Sequence, residues 1–212
     1  MENTGIRKFI FVKDITYLLS LLAVCLVYLL MSGVSLFVLI SFFGGLFIFI
    51  LNEYITHRFL FHLKPPKNPF ALKVLKRLHY DHHTDPNDLH LMFLPIWYSI
   101  PQIVGISLIY YLFFSSFVTT IAFASGLMTM LLVYEWKHFV AHQPITPRSS
   151  FGKWLKQTHL LHHFKNENYW YGVSNPFIDM LFGTHKDEKT VKKSKTVRNI
   201  EGVSSNKKTI KF

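Results

Sequence analysis

The chain has 212 residues, about one domain's worth. Half of them are hydrophobic and 21 are phenylalanine, which excludes an ordinary water-soluble domain, and the formal net charge is +11. A single cysteine, Cys25, excludes an internal disulfide, so the fold needs no oxidising compartment.

Residues 1–14 form a short arm containing Arg7, Lys8 and Lys13. Residues 15–51 then carry no charged side chain, long enough for two membrane passes at about 20 apolar residues each. Predicted spans cover 15–31 and 34–55, with a turn at Ser32 and Gly33. A cleaved signal peptide does not fit, because the apolar run is too long and no small-x-small cleavage site follows it. In the next loop, Asn68 can cap a helix that Pro69 opens. Phe70, Val74, Leu75 and Leu78 give that helix an apolar face.

A second uncharged run, 89–134 apart from His90, supplies spans at 91–114 and 117–134. Pro95 and Pro101 fall in the third, where neighbouring helices absorb a kink. Another short amphipathic helix presents Phe151, Trp154, Leu155 and Thr158, and both short helices are predicted to lie in the membrane interface. Residues 15–184 thus read as one all-α integral-membrane domain with four transmembrane helices and interfacial helices beside them. The tail, 185–212, holds nine Lys/Arg against three Asp/Glu. It reads as a disordered segment drawn to anionic headgroups, in preference to a nucleic-acid binder. The turns near Ser32 and Ser115 are uncharged, whereas Lys and Arg gather in the arm, the central loop and the tail. The positive-inside rule therefore places both termini and the central loop in the cytoplasm.

All twelve histidines follow residue 56, and ten fall in four groups. These are His57 with His62; His79, His82 and His83; His138 with His142; and His159, His162 and His163. Every group lands on the predicted cytoplasmic side. H-x-x-H-H occurs twice, and each copy follows a histidine pair by a similar interval, which points to a structural pseudo-repeat. His57 and His62 are five apart, about 140° round a regular helix. They either serve different metals or straddle a distorted helix end. So many imidazoles cannot all be protonated together, and neutral rings around a cation resolve the conflict. Ten ring nitrogens exceed what one ion accepts, so two metal ions are implied.

Imidazole suits Zn, Cu, Fe and Ni alike, and a structural zinc site would show thiolates. Glu53 and Glu135 lie four and three residues before His57 and His138, placed to accept a ring N–H on the same helix face. Tyr134 is a candidate on the substrate side. His90 and His185 read as ordinary interfacial residues.

The blocks "HRFLFHLKPP", "HYDHHTDPNDLHLMFLP", "YEWKHFVAH", "THLLHHFKN" and "YGVSNPFIDMLFGT" resemble the fatty acid hydroxylase superfamily of membrane di-iron oxygenases. The nearest likeness is to the fatty acid 2-hydroxylases, over about residues 50–184. The resemblance implies that all ten grouped histidines hold two ions, iron in the working enzyme, with zinc able to occupy the site in purified protein. It implies an O2-dependent hydroxylation of a fatty acyl chain or acyl lipid at C2, in a bacterial inner membrane or the endoplasmic reticulum. The chain departs from the family at His90, where relatives usually carry Arg, and at Tyr134-Glu135, where they carry Tyr-Asp. It has no His-Pro-Gly-Gly haem string and no Rossmann fingerprint, so electrons are expected from a separate donor of cytochrome b5 or ferredoxin type with its reductase. Sterol desaturase-like and carotenoid hydroxylase activities are the alternatives within the superfamily. A metal transporter is a remoter one, since transporters place their ligands near the bilayer midplane.

Overall fold

The computed structural model describes residues 2–202, and among these every regular element is helical. Helix α1 (Glu2–Ile10) leads into α2 (Lys13–Ser32). Helix α3 (Leu36–Ile55) runs on through a π-helical stretch, Thr56–Phe61. Helix α4 (Pro69–Leu75) likewise continues through a π-helical stretch, Lys76–Tyr80, into α5 (Asp81–Thr84). Then come α6 (Leu89–Met92), α7 (Ile96–Phe114), α8 (Phe117–His142), α9 (Ser150–Phe164) and α10 (Phe177–Leu181).

Four segments are long and apolar enough to cross a membrane: Lys13–Ser32, Leu36–Phe61, Leu89–Phe114 and Phe117–His142. The protein is an integral membrane protein, and the outward residues agree with that: Phe37, Leu112 and Phe113 are more than two-thirds exposed in the isolated chain. Such side chains suit lipid. Because the turns carry no charge, serines start the helices. Ser35 Oγ accepts from Val38 N and Ser116 Oγ from Thr119 N.

Helices α3 and α8 cross where two glycines meet. A Cβ on Gly45 would lie 2.1 Å from the Phe123 carbonyl oxygen, and one on Gly126 would lie 2.1 Å from that of Phe42. Backbones can approach this closely only without side chains, the small-residue packing expected between helices in lipid. Around the crossing, Leu18, Phe49, Ile103, Leu127 and Leu131 form the core shared by the four spans. Phe9 of α1 packs on Phe93, Trp136 and Phe139, which fixes the N-terminal helix to α8.

Helix α8 does not stop near residue 134 but continues unbroken to His142. Lys156 of α9 donates to the carbonyls of Val140, Gln143 and Ile145 at 2.8–2.9 Å. One ammonium thereby satisfies carbonyls that the helix end leaves free and holds α9 against it. Asn68 Oδ1 accepts from Ala71 N, with Pro69 at the first helical position, as the sequence predicts.

Over residues 185–202 the structure differs from the expected disorder. This segment turns back over the histidine helices and buries Val197. Backbone bonds outweigh its polar composition, beginning with Ser194 N to the Lys165 carbonyl at 2.8 Å. The rest of the expected tail, 203–212, lies outside the described residues.

Candidate metal centre

The histidines gather at one end of the span bundle. One ring nitrogen each from His57, His62, His79 and His162 lies within 4.8 Å of all the others in its group. A second group, on the same measure, is His82, His138, His142, His159 and His163. His83 stands at the border, with its Nε2 3.0 Å from His79 Nε2 and its ring stacked on His163 at 4.1 Å. His62 is half-buried and the other nine rings are buried. His90 and His185 lie apart from both groups.

The two halves of the chain exchange one ligand candidate each. On a regular helix such as α9, the residue at i+3 of H-x-x-H-H lies about 60° to one side of the first, and the residue at i+4 about 40° to the other. His79 and His159 face the groups of their own halves. The i+3 residues, His82 and His162, cross to the opposite group. Of the i+4 residues, His163 stays with the group of its own half and His83 lies between the two groups. The suspected pseudo-repeat therefore has a geometric counterpart.

His57 and His62 face one group, so the distorted helix end is the right alternative. The stretch between them is π-helical, and i→i+5 bonding brings residues five apart onto one face.

The nitrogen spacings do not describe a hydrogen-bond network. His79 Nε2 lies 2.9 Å from His62 Nε2, 3.0 Å from His83 Nε2 and 3.3 Å from His57 Nε2. One imidazole nitrogen offers a single in-plane proton or lone pair, so it cannot bond three others at once. In the second group, Nε2 of His138 is 2.8 Å from that of His82, and Nε2 of His142 is 2.9 Å from that of His159. Two nitrogens bound to one ion at 2.0–2.1 Å would sit about 2.9–3.4 Å apart. Neither ring nitrogen of His163 has a protein hydrogen-bond partner, although the residue is fully buried. A cation shared by the rings accounts for both facts. The donor set therefore fits metal ions, with the ten histidines as the residues available to hold them.

Backbone carbonyls orient the first group. His57 Nδ1 lies 2.5 Å from the Tyr171 carbonyl oxygen and His162 Nδ1 lies 2.8 Å from that of Tyr169. His83 Nδ1 lies 2.9 Å from the Val197 carbonyl oxygen. A ring that donates its Nδ1–H outward leaves the Nε2 lone pair turned inward. Two of these carbonyls flank Trp170, whose backbone is left-handed at φ 57° and whose side chain is buried. That unusual turn lets neighbouring carbonyls reach separate rings, at a backbone conformation disfavoured for bulky residues. Asp179 holds the turn, accepting from Tyr171 N, Gly172 N and Thr184 Oγ1 at 2.7–2.8 Å. Burial raises its pKa, and these bonds oppose the rise.

Burial, reinforced by neighbouring rings, lowers the pKa of His62, His79, His82, His159, His162 and His163 well below the ordinary value. Burial brings His83 down to about 3. Burial thus favours the neutral ring, the protonation state that binds metal.

Glu53 and Glu135 do not accept ring N–H groups. Glu53 accepts instead from Val173 N and Ser174 N at 2.7 and 2.9 Å and from the Ser174 hydroxyl. Glu135 accepts from Leu94 N at 2.9 Å, at the break before α7. Non-helical backbone beside a span frees N–H groups that must be satisfied, and these carboxylates take that part. Tyr134 is buried with its ring 5.6 Å from His138. It lines a cleft between α3, α7 and α8 together with Phe49, Phe61, Tyr98 and His57.

The residue types of the turn at 169–171 and of Asp179 do not by themselves mark them as partners of the rings. Tyr171 and Asp179 both fall in the block YGVSNPFIDMLFGT, and Trp170 stands just ahead of it.

The model of the fatty acid hydroxylase family matches residues 42–184. The chain is 35% identical over 148 residues to the fatty acid 2-hydroxylase of Macaca fascicularis, covering 68% of this chain and 39% of that protein. It is 34% identical over 165 residues to the ceramide very long chain fatty acid hydroxylase scs7 of Schizosaccharomyces pombe, covering 72% and 44% respectively. It thus spans less than half the length of either relative. A solved structure of full-length scs7p, in which only the hydroxylase domain is visible, matches with a TM-score of 0.75 and 27% identity, over 84% of this chain and 67% of that one.

Proposed function

The chain belongs to the fatty acid hydroxylase family, and on that premise we propose that it is a membrane di-iron monooxygenase that hydroxylates a fatty acyl chain or acyl lipid at C2. The observation that carries this reading is the pair of adjoining imidazole groups at the end of the spans. The choice of C2 is supported by the relatives, which include fatty acid 2-hydroxylases and a dihydroceramide fatty acyl 2-hydroxylase of Arabidopsis thaliana.

Two ions would be held by His57, His62, His79 and His162, with His83 beside them, and by His82, His138, His142, His159 and His163. Iron bound there supplies O2 reduction and hydrogen removal from an unactivated C–H bond. The reaction takes a C–H bond, O2, two electrons and two protons to C–OH and water. The cleft between α3, α7 and α8 includes His57 in its lining beside Phe49, Phe61 and Leu94, and an acyl chain would reach the site through it. It is narrow, about 20 Å³, so an acyl chain must displace lining side chains such as Phe61 and Tyr98. Glu53 and Glu135 keep the loops around the centre in place and leave the imidazoles free for metal.

The electrons come from a separate cytochrome b5 or ferredoxin-type donor and its reductase. Lys64 and Lys67 in the loop and Lys73 on α4 give the chain beside the site a positive face that suits an acidic donor. The same charge bias supports a cytoplasmic site.

Lipid mass spectrometry of cells with and without the protein tests the activity. A lipid heavier by about 16 Da is expected with the intact chain and is lost with His82→Ala and with His162→Ala, each taken from a different group. A lipid lighter by about 2 Da would mean desaturation, and unchanged hydroxylated product from both variants would refute the assignment.

A further inference from the structure

The segment 194–201 ties together the two helices that carry H-x-x-H-H. At one end, buried Glu167 just beyond α9 accepts from the Ser194 hydroxyl at 2.9 Å and from the Thr196 hydroxyl at 2.5 Å. In the middle, the Val197 carbonyl meets His83 Nδ1, with Val197 itself 2% exposed. Arg198 then lies over the Phe164 ring at 5.0 Å and donates to the Thr84 carbonyl at 2.6 Å, while Thr84 Oγ1 returns a bond to the Arg198 carbonyl. At the far end Glu201 pairs with Lys76 at 2.6 Å. Contacts at both ends and the middle hold an irregular segment in one path across the outside of the histidine cluster.

We propose that residues 194–201 are a strap that closes the metal centre on the side away from the spans, and that its Val197 carbonyl positions His83 as a ligand of the first ion. The proposal rests on the two-ion reading above. With Nδ1–H committed to that carbonyl, the unprotonated Nε2 of His83 is the nitrogen that faces His79. Without it, His83 can turn or change tautomer, and the first centre keeps four imidazoles and a path to water. The second group has no such carbonyl from the strap, so loosening the strap should act on one ion first. Glu167 is a positioning residue in this scheme, working through Ser194 and Thr196.

The test uses the full-length protein loaded with Fe2+ and challenged with excess EDTA, following metal per chain by elemental analysis. Hydrogen exchange of amides 194–201 and thermal melting are followed in parallel. Three variants are compared with the parent. Glu167→Ala removes the anchor, Glu167→Gln keeps an oxygen that accepts both hydroxyls, and Ser194→Asp/Thr196→Asp sets two carboxylates against Glu167 to expel the strap. The expected result is release of one ion per chain at least tenfold faster in Glu167→Ala and the double Asp variant, with fast exchange over 194–201 and near-parent behaviour in Glu167→Gln. Release at the parent rate from the double Asp variant overturns the proposal, as does loss of both ions together in step with a drop in melting temperature. A parent protein that takes up no metal defeats the two-ion reading itself, a different outcome from failure of the strap.

Discussion

A buried imidazole is comfortable in this protein only when it is neutral. Burial lowers the pKa of His62, His79, His82, His159, His162 and His163 well below the ordinary value and that of His83 to about 3. In the unfolded chain the same rings titrate at about 6.5. Between these values the unfolded state binds more protons, so stability rises with pH across the window and falls as pH drops. Metal-free protein should therefore melt at a constant temperature above about pH 7 and at progressively lower temperatures towards pH 5. A flat profile down to pH 5 would show that the rings are not buried as described. At this scale the ligand candidates were legible, because H-x-x-H-H written twice is a dense local signal. Their orienting partners were not. His57, His83 and His162 bond to main-chain oxygens of Tyr171, Val197 and Tyr169, and a carbonyl leaves no mark in residue identity. Glu53 and Glu135 have other partners than the ring N–H groups expected for them, because the loop N–H groups they satisfy come from distant sequence.

Among the elements, α3 and α8 carry the most consequence, since they bring His57 and His62 from one half and His138 and His142 from the other. Their crossing depends on Gly45 and Gly126, where a Cβ would clash with backbone oxygen. Gly44 is a natural control, because a Cβ there comes no closer than 3.9 Å, to the edge of Phe123. Gly126→Ala is expected to cost about 2–3 kcal/mol and to lower bound metal. Gly44→Ala should be neutral or slightly stabilising, by up to about 1 kcal/mol, from helix propensity alone. Thermal melting and metal content of the two variants decide it, and equal behaviour would contradict the crossing. The spans themselves followed from hydropathy and length. What hydropathy could not reveal was the π-helical stretch at Thr56–Phe61, which puts residues five apart on one face. Nor could it place the end of α8 at His142, because its last two turns mix polar and apolar residues.

For the molecule as a whole, the chain reads as two span pairs, each closed by a histidine pair and an H-x-x-H-H helix, with one histidine exchanged between halves. That exchange makes the centre a property of the whole bundle, since neither half completes its own group. A local sequence window shows the motifs but not the swap, which depends on how α5 and α9 face each other. The Lys-rich composition of 186–202 likewise concealed a packed segment, because its hold comes from main-chain bonds, two hydroxyls, Val197 and Arg198. The most direct test of the account is metal stoichiometry in protein that is turning over lipid, measured by elemental analysis alongside chain concentration. The account predicts two transition-metal ions per chain, and a fully active preparation holding none, or only one, would contradict it.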